Sequence, residues 1–230
     1  MKPTKAYLYE THLHTSPVSR CATASVRESL EFYKTLGYAG VFITNHFIDG
    51  NCSYDRTLSY EEKINYYFSD YEEGVKIGKE IGISVFSGVE SSYMGSDFLI
   101  YGLDKSWYLC HPEIMEMKKS EALTLMASEG ALIIQAHPFR EHPSTDRIML
   151  FPRFVHGCEV YNASQSELSN KMAEIYAENY KLIRFAGTDN HTAKRKTLGG
   201  MQADSPICDE CDFAAKVKGG EITPFAKTLI

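Results

Sequence analysis

The sequence predicts an α/β fold with parallel strands, arranged as a barrel or a doubly covered sheet. Two observations carry that expectation. Short continuous apolar runs alternate with capped amphipathic stretches along the chain, the pattern of βα repeats whose strands are covered on both faces. Histidines and acids then collect at the carboxyl ends of those runs, the end where parallel α/β folds bind their ligands. With 230 residues, 43% of them hydrophobic, the chain is long enough for one substantial core. Residues 1–230 read as one domain, with no internal repeat, low-complexity tract or linker.

The first element is Tyr7-Leu8-Tyr9-Glu10-Thr11-His12-Leu13-His14-Thr15, a buried strand ending in two imidazoles. The two-residue period of a strand puts His12 and His14 on one face, their Cβ atoms roughly 7 Å apart, where they can grip one metal ion. A polar loop, Ser16 to Thr23, leads to Ser25-Val26-Arg27-Glu28. That capping box starts a helix from Val26 to Leu36, which Gly37 stops. Gly40-Val41-Phe42-Ile43-Thr44-Asn45-His46 is a second strand, and Phe47 to Leu58 a polar loop. Ser59 and Glu62 cap a long helix, Tyr60 to Ile81, whose Ile64, Phe68, Tyr71 and Val75 recur at helical spacing before Gly82.

Ile83 to Glu90 is a third strand ending in a carboxylate, and Asp97 to Leu103 a fourth that begins with one. Trp107 to Met117 is irregular or short helix; Ser120 to Glu129 is helix. Ala131 to Pro138 is a strand running into His137, closed by a proline that cannot continue the ladder. Gly157 to Asn162 is a sixth strand, Ser166 to Tyr180 a helix, and Leu182 to His191 the seventh strand with its terminal loop. A helix from Asp212 to Lys218 and a short tail finish the chain.

The formal charge of −6 ranks nucleic acid low as a partner, because phosphate-tracking surfaces are usually basic. A small phosphorylated substrate is still compatible, since a metal site supplies positive charge locally. No apolar run reaches membrane-spanning length, and Met1-Lys2-Pro3-Thr4-Lys5 lacks the apolar segment of a signal peptide. The expectation is a cytoplasmic protein whose six cysteines are reduced thiols. Cys208-Asp-Glu-Cys211 has no second pair and reads as incidental. Oligomeric state is not legible.

His12, His14, His46, Glu90, His137, Asp189 and His191 all fall at the predicted carboxyl ends of strands, so five of the eight histidines gather there. His111, His142 and His156 lie in loops and read as solvated. A barrel of parallel strands would bring the first group into one polar cup. Imidazoles with carboxylates suit Zn²⁺, Mn²⁺ or Fe²⁺, and seven such residues exceed one tetrahedral site. Two or three divalent ions are therefore expected, with Glu90 placed to bridge.

The chain resembles the PHP superfamily, named for its polymerase and histidinol-phosphatase members. The likeness rests on Glu10-Thr-His12-Leu-His14-Thr15, Thr44-Asn45-His46, Gly88-Val-Glu90, Gln135-Ala-His137-Pro138 and Gly187-Thr-Asp189-Asn-His191, which occur in the family's order. It implies a distorted (βα)7 TIM-like barrel with a two- or three-metal site. By that likeness His12, His14, Glu90 and Asp189 hold one metal, Glu90 and His137 a second, and His46 and His191 surround a third. Three departures bear on the set. The loop Ser16-Pro-Val-Ser-Arg20-Cys21 lacks the aspartate or histidine that many members place there, and Arg20 stands near the position. Asn45 replaces the usual aspartate, removing a charge. Asp97 stands where members offer a histidine, and is expected as a substitute ligand.

A hydroxide held between two metals roughly 3.5–4 Å apart can attack phosphorus in line. Arg140, three residues beyond His137, is the expected phosphate clamp, because a guanidinium binds phosphate bidentately; Arg20 is a second. The expected function is thus a metal-dependent phosphoesterase acting on a small phosphorylated metabolite, histidinol phosphate being one. Two alternatives stand: an amidohydrolase-type C–N hydrolase on the same metals, or a non-catalytic metal-binding accessory domain, which the Asn45 and Arg20 departures keep open.

Overall fold

The computed structural model describes residues 6–142 and 147–229. The amino-terminal Met1 to Lys5 stretch read above lies outside them. In chain order the elements are β1 (Tyr7–Leu13), α1 (Val26–Thr35), β2 (Gly40–Ile43), α2 (Tyr60–Ile81), β3 (Ser84–Ser87), β4 (Val89–Tyr93) and β5 (Ser96–Tyr101). Then come α3 (Lys105–Cys110), a 3-10 turn (Pro112–Met115), α4 (Lys119–Ser128), β6 (Leu132–Ala136), β7 (Gly157–Asn162) and α5 (Glu167–Tyr180). The last are β8 (Ile183–Gly187), β9 (Thr197–Ala203), α6 (Glu210–Lys218) and β10 (Ile222–Thr228). Both expected capping boxes form: the Ser25 and Ser59 hydroxyls accept from the N–H of Glu28 and Glu62, whose carboxylates reach back.

The expected closed barrel of seven strands is not found. Among the described residues the strands form two five-stranded sheets, ordered β10-β9-β1-β2-β3 and β4-β5-β6-β7-β8. The stretch Ile83 to Glu90, read as one strand, breaks at Gly88. A Cβ there would lie 2.8 Å from Thr44 Cγ2 and 3.1 Å from the Tyr101 ring. Glycine lets the chain pass between the two sheets at this tight point.

Beyond the break the chain reverses: β4 is antiparallel to β5, and β5 to β6. The start of β5 therefore lies at the carboxyl end of β6, with Asp97 opposite Ala136. This places an acid at a strand's beginning on the same face as histidines at strand ends. Parallel bridges between Leu13 and Asn190, and between His46 and Glu90, tie the two sheets together at that face.

At the opposite end α6 packs Phe213 against Phe42 of β2, Tyr101 of β5 and Phe185 of β8, with ring centroids 4.2, 5.3 and 6.2 Å apart. This buried cluster also takes Tyr9, Leu132, Ile134 and Met201, so both sheets share one apolar interior. A second cluster lies under α2, α3 and α4, and a third joins α1 to β1 and β2. No helix among the described residues is long and apolar enough to cross a membrane.

Candidate metal centre

Alternation along β1 sends His12 and His14 to one side, fully buried, with ring centroids 5.2 Å apart. His46 follows β2, Glu90 and Asp97 are the second residues of β4 and β5, His137 follows β6, and Asp189 and His191 follow β8. His137 and Asp189 hold positive φ angles of 26° and 56°. Such backbone is disfavoured for residues with a Cβ and persists where the surroundings impose it, often at working sites.

Glu90 is the hub. Its Oε1 lies 3.1 Å from His12 Nε2 and 3.4 Å from His137 Nε2. Its Oε2 lies 2.5 Å from His46 Nδ1 and 3.4 Å from His14 Nε2. Asp189 Oδ1 faces His14, His191 and His12 at 3.4, 3.5 and 3.6 Å. Asp97 Oδ2 stands 3.9 Å from His137 Nε2.

Four donor sets arise whose atoms lie within 4.8 Å of one another: His12-His14-Glu90, His12-His137-Asp189, Glu90-Asp97-His137 and His14-His46-His191. Despite this crowding, His14 Nε2, His46 Nδ1 and Glu90 Oε2 face one another at close range without hydrogen-bond alignment. Buried polar atoms normally pair; ones that converge without pairing fit a shared cation.

Electrostatics follow from the crowding. Burial would raise the Glu90 carboxyl, but His46, His12 and His14 hold it well below the usual range. Burial would likewise raise Asp189, and His12, His14 and His137 bring it well down. Burial would lower His46, yet Glu90 and Cys21 carry it up to about 11. His14 falls to about 3 through burial and the facing His46 and His191. Asp97 is raised by burial and by Glu90.

The group opens into a cavity of about 570 Å³, whose wall also carries Cys21, Asn51, Ser92, Arg140 and His142. Arg140 lines this wall, its Nη1 3.4 Å from Asp97 Oδ2. Arg20 is exposed and is not among the lining residues; its N–H donates to the Asn51 carbonyl at 3.0 Å. Its neighbour Cys21 faces the histidines instead. Burial raises that thiol, but hydrogen bonds with His191 and His46 outweigh it and bring it down to about 6. Of the three histidines read as solvated, His142 lines the cavity. His111 Nδ1 bonds the Trp107 carbonyl at 2.7 Å, and His156 Nδ1 accepts from Ile133 N–H at 3.1 Å.

One supporting residue escaped the sequence reading. Glu159, fully buried on β7, accepts from His12 Nδ1 at 2.9 Å, from His137 N–H at 3.0 Å and from Asn162 Nδ2 at 2.8 Å. It thereby orients one imidazole and one strained backbone turn. Gly187 gives it room, since a Cβ there would meet Glu159 Oε1 and His12 Cβ, both at 2.6 Å. The available signal was a carboxylate inside an apolar strand, which must be paired when buried.

No family model matches the sequence, and no curated protein matches it. Solved structures do. One is a two-domain protein from Bacteroides vulgatus containing a PHP-like metal-dependent phosphoesterase, with TM-score 0.68 and 12% identity over 96% of this chain. The chain shares that protein's fold. It spans 65% of that relative's length. A protein from Bifidobacterium adolescentis described as a metal-dependent phosphoesterase superposes with TM-score 0.55 and 13% identity, covering 80% of this chain and 87% of that one. An amidohydrolase from Chromobacterium violaceum, solved with sulfate and no metal, gives TM-score 0.53 and 13% identity over 94% of this chain and 97% of its own.

Asn45 has a local explanation. Its Oδ1 accepts from Thr15 N–H at 2.7 Å and Ser19 Oγ at 2.9 Å, while Nδ2 donates to Asp70 Oδ2 at 2.9 Å. The acceptor role is kept, and α2 supplies the carboxylate. An aspartate at 45 would set two carboxylates against each other.

Proposed function

We propose that the chain is a metal-dependent hydrolase of phosphate esters. The observation that carries this reading is Glu90, which meets four imidazoles beside a cavity with Arg140 on its wall. Mixed imidazole and carboxylate donors suit Zn²⁺, Mn²⁺ or Fe²⁺, in two or three positions. His12, His14, Glu90 and Asp189 would hold one ion, Glu90, His137 and Asp97 another, and His46 and His191 would surround a third. Bound there, such ions supply a water activated near neutral pH and positive charge against a phosphoryl group.

The chain's own residues do the rest. Arg140 binds and orients phosphate, and Asp97 keeps its guanidinium aimed into the cavity. Glu159 fixes His12, so the donors need little reorganisation. The cavity, at about 570 Å³, has room for a small phosphorylated metabolite. On this reading the two sheets act as halves of one distorted, TIM-like barrel, residues 1–230 form one catalytic unit, and its setting is the cytoplasm, without membrane or nucleic-acid partners.

Protein purified without chelator is expected to carry about two or more equivalents of metal and to hydrolyse a phosphomonoester panel that includes histidinol phosphate. His137→Ala or Asp189→Ala should lower turnover by at least about 100-fold with unchanged far-ultraviolet dichroism. Metal content near zero, with no activity on adding Mn²⁺ or Zn²⁺, refutes the reading. A second reading, C–N hydrolysis, is favoured only by the likeness to the Chromobacterium violaceum protein. Arg140→Ala separates the two. A phosphatase should lose about 100-fold in kcat/KM, whereas an amide hydrolase keeps most of its rate.

A further inference from the structure

The hairpin that joins β4 to β5 sets two cavity-lining residues side by side. Tyr93 pairs with Ser96, so Met94 and Gly95 make a two-residue turn, with φ angles of 49° and 88°. Positive φ at both central residues matches the twist of the strands and fixes their register. Ser92 is thereby placed opposite Asp97. Its hydroxyl donates to Asp97 Oδ1 at 2.6 Å, and both residues line the cavity. Oδ2 is left facing His137 Nε2 at 3.9 Å and Arg140 Nη1 at 3.4 Å.

Ser92 is itself held from outside the cup. Asp49, in the loop after β2, accepts from the Ser92 N–H at 3.0 Å through Oδ1. Its Oδ2 accepts from Ser91 Oγ at 2.6 Å and from Lys119 Nζ at 2.8 Å. Lys119, the first residue of α4, also donates to Ser91 Oγ at 2.7 Å. Asp49 follows His46 by only three residues, yet both of its oxygens serve the hairpin. Gly50 completes the support: a Cβ there would lie 2.8 Å from Ser92 Oγ. Its lack of a side chain leaves the hydroxyl its place beside Asp97.

We propose that Ser92 is a positioning residue for Asp97, holding Oδ1 so that Oδ2 alone is offered to a metal shared with Glu90 and His137. The inference rests on the metal-centre reading above. It gives that centre a support separate from Glu159, which serves the His12 ring and the His137 backbone. A free carboxylate turns about its side-chain bonds and can bind an ion through one oxygen or two. With Oδ1 occupied, Asp97 is a one-oxygen donor already fixed in place, so less freedom is lost when the ion binds. Of the four donor groups found among the described residues, only Glu90-Asp97-His137 contains Asp97. Loss of the Ser92 hydroxyl therefore weakens one position and spares the others.

Mn²⁺ alone is the probe, titrated into the metal-free full chain while paramagnetic resonance counts the unbound ion. Ser92→Ala should bind one equivalent about 10–100-fold more weakly, and the rest as the wild type does. Gly50→Ala removes no polar group and only displaces the hydroxyl, so it should weaken the same equivalent and tests the bond even where Ser92→Ala misfolds. Asp97→Ala should lose that equivalent, and adding Ser92→Ala to it should cost nothing further, the mark of one shared interaction. Far-ultraviolet dichroism should be unchanged throughout. Wild-type affinity in Ser92→Ala, equal weakening of every equivalent, or additive losses in the double variant overturns the proposal and leaves the metal centre standing. No loss in Asp97→Ala overturns it together with the Asp97 assignment. Failure of the wild type to bind Mn²⁺ at all overturns the metal-centre reading as well.

Discussion

Glu159 and Asn45 show how single residues tune this site from behind. The His12 and His137 contacts of Glu159 converge on one buried carboxylate. Glu159→Gln keeps the shape but exchanges one acceptor oxygen for a donor amide. Metal affinity or activity should fall by about 10–100-fold, read by metal titration and phosphoesterase assay; a smaller change would make Glu159 merely structural. At position 45 the expectation is about stability. Asn45→Asp should cost about 1–3 kcal/mol at neutral pH, because Asp70 Oδ2 loses one of its donors and faces a like charge. The two carboxyls would then titrate with raised pKa values, so the loss should shrink as pH falls and one of them takes a proton. Denaturant titrations at pH 7 and pH 5 test the sign.

The histidines carry a pH expectation of their own. His46 is held up to about 11 and His14 down to about 3, so at neutral pH the metal-free cup holds the former as imidazolium and the latter as neutral imidazole. Metal must displace the His46 proton. Affinity should therefore rise with pH, and calorimetry in buffers of different ionisation enthalpy should show proton release; affinity flat from pH 6 to 8 contradicts this. The ligand-type residues were legible because they punctuate apolar runs. Glu159 was not, since it sits inside one, and the contrast between Arg20 and Cys21 turned on loop hydrogen bonds that no spacing rule reveals.

At the scale of elements, the capped helices α1 and α2 were read almost to the residue, because Ser25, Glu28, Ser59, Glu62 and Gly82 each have one local job. The strands β9 and β10 were missed. Glycine is depleted in strands, and Gly199-Gly200 in the middle of β9 masked it. The structure explains the pair: a Cβ on Gly200 would lie 2.3 Å from the Tyr9 carbonyl oxygen, and one on Gly199 2.4 Å from that of Gly187. Gly200→Ala should push β9 off β1 and cost about 1–3 kcal/mol, measured by urea unfolding. Phe213→Ala, at the far end of the interior, should cost about 3–5 kcal/mol. It should leave metal stoichiometry in the surviving folded fraction unchanged, because α6 lies opposite the cup.

For the whole molecule, the order of the motifs conveyed the α/β class and the convergence of the acids and histidines. Chain direction did not show. The reversal between β4 and β5 follows a break at Gly88, where a Cβ would meet Thr44 and Tyr101, neither of them near it in sequence. Metal that binds only the folded state should raise the thermal midpoint with concentration. At 100 times its Kd the gain is about 2.7 kcal/mol for one site; calorimetry with and without chelator reads it.

The link between the two ends of the cup has a consequence for synthesis. Glu10, beneath His12, bonds Thr188 across 178 residues of sequence, and the adjacent Leu13–Asn190 bridge joins the same two strands. A ribosome adding 5–20 residues per second needs roughly 10 to 35 seconds to cover that interval. Throughout it, the emerging His-x-His pair lacks Glu90 at first and Asp189 until almost the end. The nascent chain can offer an ion only a fragment of its final donor set. Which ion the cup would hold is then decided only once Asp189 has emerged, by competition for the finished donor set in the surrounding metal pool.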